Sequence, residues 1–129
     1  MKYMNKSEII NILNKYNLEK DKFFIISGAA LVLLGFSKKT KDIDICVTEE
    51  YYNYLLKEFD CTFERTNEFG KDAYMIDSII NFGMSFMPNE YEIIGGFKVA
   101  SLTDCYHLKK FLNRDKDKEL LEELKKVVH

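Results

Sequence analysis

The feature that most constrains this chain is the apolar stretch from Phe23 to Phe36, whose pattern changes at Ser27-Gly28. Phe23-Phe24-Ile25-Ile26 has the aromatic and β-branched composition of a short buried strand. From Ala29, the run Ala-Ala-Leu-Val-Leu-Leu suits a buried helix ending near Gly35. The stretch is shorter than the roughly 20 residues a helix needs to cross a bilayer, so it belongs to a folded core. A strand, a Ser-Gly turn and a helix therefore follow one another directly.

The flanking segments extend this start into an α+β order. Asn5-Lys6-Ser7-Glu8 reads as a capping box opening an amphipathic helix through Ile9, Ile10, Ile12, Leu13 and Tyr16. Lys41 to Val47 alternates polar and apolar residues, which predicts a half-buried strand with Ile43, Ile45 and Val47 facing the core. Tyr51 to Phe59 reads as a helix. Cys61 to Arg65 and Ala73 to Ile80 read as strands flanking a turn at Phe69-Gly70-Lys71. Tyr91 to Ile94, Gly95-Gly96 and Phe97 to Ala100 form a strong hairpin signal, because Gly-Gly supplies the positive φ of a tight turn. Ser101-Leu102-Thr103-Asp104 caps a helix to about Leu112, and a charged break at Arg114-Asp115-Lys116-Asp117 precedes a last helix. The expectation is one domain over 1–129: a mixed β-sheet flanked by helices, closed by a C-terminal helix pair.

Composition narrows the function classes. With 129 residues, 47% hydrophobic and 31% charged, the chain is long enough to bury a core and unlike a disordered one. Nineteen Lys and Arg against 21 Asp and Glu leave a net charge of −2, which argues against duplex nucleic acid as the main partner. Positive charge near Met1 and Lys2 has no apolar segment behind it, so no export signal or membrane partner is expected. Three cysteines, Cys46, Cys61 and Cys105, without a Cys-x-x-Cys pair fit a reduced cytoplasmic compartment and disfavour structural zinc.

The candidate chemistry centres on Asp42-Ile43-Asp44. On a strand, i and i+2 share a face, so two carboxylates converge there. Such a pair is either a solvated face or neutralised by a cation, and Mg²⁺ fits carboxylate oxygens plus substrate phosphates. The Ser27-Gly28 turn at a helix start suits a phosphate. Lys38, Lys39 and Lys41 either screen a polyphosphate or belong to an ordinary solvated loop. Asp77, inside an apolar run, needs a partner or an exposed edge; a strand beside Asp42 and Asp44 would gather three carboxylates around one or two metals.

Phe24 to Gly35 followed by Thr40-Lys41-Asp42-Ile43-Asp44-Ile45 resembles the core signature of the nucleotidyltransferase superfamily. It looks most like the branch of small bacterial nucleotidyltransferases that includes lincosamide-type resistance enzymes and abortive-infection antitoxins. Ile76-Asp77-Ser78-Ile79-Ile80 resembles that branch's third-carboxylate strand, and Ser101 to Asp117 its helix pair. The resemblance covers about Phe23 to Leu124. It implies a nucleotidyltransferase-like fold and transfer of a nucleoside monophosphate from a nucleoside triphosphate to a hydroxyl on a small molecule or partner protein, such as a toxin. Asp42, Asp44 and Asp77 would then be catalytic and bind Mg²⁺. Ser27, Gly28, Lys41, Lys109 and Arg114 would bind the nucleotide. One departure stands out: Ser27 occupies the place of the family's first Gly, where a Cβ crowds the approach to phosphate. The alternative is a module that binds nucleotide or neutralises a toxin by contact alone. In either case a partner, or a second copy in a homodimer, could complete the acceptor pocket.

Overall fold

A computed structural model describes residues 3–85 and 87–128; Met1 and Lys2, part of the N-terminal charge noted above, lie outside them. The apolar run at Phe23 becomes β1 (Phe23–Ile26), near the centre of the sheet. It pairs antiparallel with β2 (Ile43–Val47) and parallel with β7 (Phe97–Ala100). The chain turns from β1 directly into α2 (Ser27–Leu33), one residue pair earlier than the sequence suggests. Among the described residues, seven strands form one mixed sheet in the order β3-β4-β5-β2-β1-β7-β6. Here β3 is Cys61–Thr66, β4 Asp72–Ile76, β5 Ile80–Gly83 and β6 Tyr91–Ile94. The α+β class and the mixed sheet thus match the sequence reading.

Period-two alternation sets the two faces. Ile43, Ile45 and Val47 are at most 2% exposed, and Ile45 registers with Ile25 and Phe82 on the apolar face. On that face α3 (Glu49–Glu58) stacks Tyr51 on Phe23, with ring centroids 6.2 Å apart, and sets Tyr52 edge-on to Phe82. The Thr48 hydroxyl accepts from the Tyr51 N–H and so starts α3. On the other face Asp44 registers with Ile26 of β1 and Asn81 of β5. That face carries the cleft described below.

The remaining helices follow their sequence signals. α1 (Lys6–Lys15) opens with the expected capping box, Asn5 and Glu8 each accepting the other's backbone N–H. α4 (Leu102–Leu112) is capped by Ser101 and stops at Asn113, whose left-handed conformation ends the helix. A 3-10 turn at Asp115–Asp117 leads into α5 (Lys118–Lys125). Ile9 and Leu13 of α1, Leu31 of α2, Leu55 of α3 and Leu124 of α5 join the strand residues in one core. No helix among the described residues is long and apolar enough to cross a membrane.

One element departs from expectation. The run Ala73 to Ile80 is two strands, β4 and β5, joined at Asp77-Ser78. Both residues have positive φ, 52° and 57°, the conformation of a tight hairpin turn, and Ile76 pairs with Ile80 across it. Asp tolerates this conformation because its short side chain can hydrogen-bond locally. Asp77 is therefore an exposed turn residue and not a strand residue in an apolar row.

Candidate functional site

The cleft lies on the Asp44 face of the sheet. Ile26 and Ser27 border one end, Asn81, Gly83 and Ser85 the floor, and Leu108, Leu112 and Arg114 one wall. Arg65 at the end of β3 and Asn67, Glu68 and Phe69 of the β3–β4 turn also line the cleft. Asn67 organises that turn: its Oδ1 accepts from the backbone N–H groups of Phe69 and Lys71, and its Nδ2 donates to the Met84 carbonyl.

Asp44 is half-buried at the centre of this face. Burial pushes its carboxyl up to about 6, and the Asp42 carboxylate pushes the same way. Lys109 and Arg114 oppose the shift with their positive charge. Asp42, exposed, sits one residue before β2, where the Thr40 hydroxyl donates to its carbonyl. Two like charges at a partly desolvated point favour a cation between them.

Gly28 stands where a side chain would not fit. A Cβ there would lie 2.8 Å from Thr40 Oγ1, on the segment that Met4 clamps by backbone hydrogen bonds in both directions and that delivers Asp42. Ser27, 8% exposed, has φ +55°, the left-handed region where glycine is the ordinary occupant. Its side chain makes no cap on α2.

The expected basic residues divide. Arg114 borders the cleft, its Nε donating to Asp117. Lys109 is buried, and its ammonium donates to the other oxygen of Asp117 at 3.4 Å. Lys109 therefore acts on Asp44 through its field, as a fixed charge held by Asp117. Lys41 does not line the cleft; it and Lys39 lie over the Tyr3 ring, at 5.3 and 4.4 Å from its centroid.

Asp77 does not join Asp42 and Asp44. It accepts a hydrogen bond from the Tyr16 hydroxyl at the end of α1, and that bond, with burial, pushes the Tyr16 phenol up to about 12. Among the described residues no group of three or more His, Cys, Asp or Glu side chains could hold a metal ion. The expected triplet does not form because Asp77 lies in the hairpin turn between β4 and β5, and it is β5 that pairs with β2. The residue alongside Asp44 is Asn81, and Met75 lies beyond it.

The sequence reading missed Arg65, Phe69, Asn81 and Ser85. Asn81 could have been found by reading Asp77-Ser78 as a turn, since Ile80-Asn81-Phe82 then alternates with Asn81 on the polar face. Arg65 and Phe69 carry no local signal, because only the fold of the hairpin over the sheet brings them to Asp44. Comparison with known proteins identifies no relative: no family model, no curated protein and no solved structure matches the chain.

Proposed function

We propose that this chain is a nucleotidyltransferase-like domain that binds a nucleoside triphosphate with Mg²⁺ and transfers the nucleoside monophosphate to a hydroxyl acceptor. The observation that carries this reading is Asp44 in a cleft that also presents Arg114, Ser27 and Asn81, with the neighbouring Asp42 carboxylate raising the Asp44 pKa. The donor set fits Mg²⁺, because the half-buried Asp44 and the exposed Asp42 offer carboxylate oxygens and leave room for water and phosphate oxygens to complete its shell. Mg²⁺ held there would neutralise the triphosphate. Arg114 offers its guanidinium to phosphate oxygens. The Ser27 hydroxyl has room to donate to another. α2 spans only Ser27–Leu33, so its dipole adds little.

A second reading, binding without transfer, is favoured by one observation: the residue in register with Asp44 is Asn81, which cannot serve as a general base. Incubation with α-labelled triphosphates, Mg²⁺ and hydroxyl acceptors, including candidate partner proteins, separates the two. Label on an acceptor, lost in Asp44→Asn, supports transfer. Triphosphate binding without label on any acceptor favours the binding module.

A further inference from the structure

The cleft has a second character that the phosphate chemistry does not use. Phe69, at the tip of the β3–β4 turn, lines it, and its ring lies nearly parallel to that of Phe111 on α4, with centroids 5.1 Å apart at 16°. Phe111 is 60% exposed. A stacked pair is a stiff platform, because each ring blocks the other's rotation. Ala73 and Gly83 line the same cleft with little or no side chain, and a Cβ on Gly83 would lie 3.4 Å from the Ala73 Cβ. Leu108 and Leu112 complete the apolar wall. The same cleft therefore holds the charged groups of Asp44 and Arg114 together with apolar side chains and an aromatic ring.

We infer that Phe69, backed by Phe111, is the stacking platform for the nucleobase of the bound triphosphate. The inference rests on the phosphate-site reading above and adds the substrate's other half. A triphosphate joined to a planar base matches a cleft that presents both charged groups and an aromatic ring. Stacking on a phenyl ring uses the π-face that every base has, so the platform accepts purines and pyrimidines alike. The site is thus selective for nucleotides over bare polyphosphate and tolerant of which base they carry.

The test compares Mg²⁺-tripolyphosphate with the four common Mg²⁺-nucleoside triphosphates by calorimetric titration of wild type, Phe69→Ala, Phe69→Tyr and Phe111→Ala. All four triphosphates should bind wild type more tightly than tripolyphosphate and within a few-fold of one another. Phe69→Ala should weaken the nucleotides by roughly 5- to 150-fold, the range of one lost base–aromatic stack, while tripolyphosphate binding is unchanged. Unchanged tripolyphosphate affinity also shows that the variant is folded. Phe69→Tyr, which keeps the ring, should retain nucleotide affinity, and Phe111→Ala should give a smaller loss. If nucleotides bind no better than tripolyphosphate, or Phe69→Ala weakens both equally, the platform is overturned while the phosphate site stands. If neither tripolyphosphate nor any nucleotide binds, the phosphate-site reading falls and the platform falls with it.

Discussion

Asn81 stands directly alongside Asp44 across the parallel pairing of β5 with β2, on the same face and in the same cleft. A carboxylate at this position would be the third acidic group that Asp77 does not supply. Asn81→Asp should therefore lower the melting temperature of the metal-free protein, because it adds a like charge beside Asp42 and Asp44. It should also raise Mg²⁺ affinity by about tenfold, equivalent to ~1.4 kcal/mol. Thermal melts with chelator and with Mg²⁺ check both directions; destabilisation that Mg²⁺ does not reverse would count against a cation site here.

Asp44 makes stability depend on pH. Its carboxyl releases a proton near 3.8 in the unfolded chain and near 6 in the folded one. Between those values the folded state binds more protons, so metal-free stability falls as pH rises through this window and stays low above it. The difference is on the order of 2–3 kcal/mol, from about 1.4 kcal/mol per unit. Asp44→Asn should flatten this part of the profile, measured by denaturant unfolding at intervals between pH 4 and 7.

Asp77 and Tyr16 form a pair apart from the cleft. Asp77→Asn should bring the Tyr16 phenol down from about 12 towards the ordinary tyrosine value near 10, read from tyrosinate absorbance against a Tyr16→Phe control. Mg²⁺-triphosphate binding should not change. A loss of binding in Asp77→Asn would return this residue to the site.

Gly28→Ala should destabilise by about 1–3 kcal/mol, because its methyl would press on Thr40 Oγ1. Combining it with Thr40→Ala should recover most of that loss, since the nearest remaining atom, the Thr40 Cβ, lies at 3.6 Å. Thermal melts of both single variants and the pair test the contact. Additive losses would show that the crowding is not at Thr40.

Much of this architecture was legible because local and tertiary signals agree. The capping box at Asn5, the alternation through Ile43-Asp44-Ile45 and the Gly95-Gly96 hairpin each specify their element without outside help. The apolar neighbours of Asp77 mimic a strand, whereas its turn is set by a left-handed φ that Asp and Ser adopt less often than Gly. The shared face of Asp42 and Asp44 follows from their i, i+2 spacing on an extended segment. The burial of Lys109 against Asp117 was not legible, because it depends on how α4 and the 3-10 turn pack, at a distance no periodicity records.

The central assignment is that Asp42 and Asp44 hold a Mg²⁺-bound triphosphate. The direct measurement is thermal unfolding of wild type and the Asp42→Asn, Asp44→Asn double variant with Mg²⁺ and a non-hydrolysable triphosphate. At a ligand concentration about 100 times Kd, binding to the folded state alone adds roughly 2.7 kcal/mol, a shift of several degrees for wild type. The double variant should stay folded and show no shift. No shift in wild type with any of the four common triphosphates, or an equal shift in the double variant, would contradict the assignment.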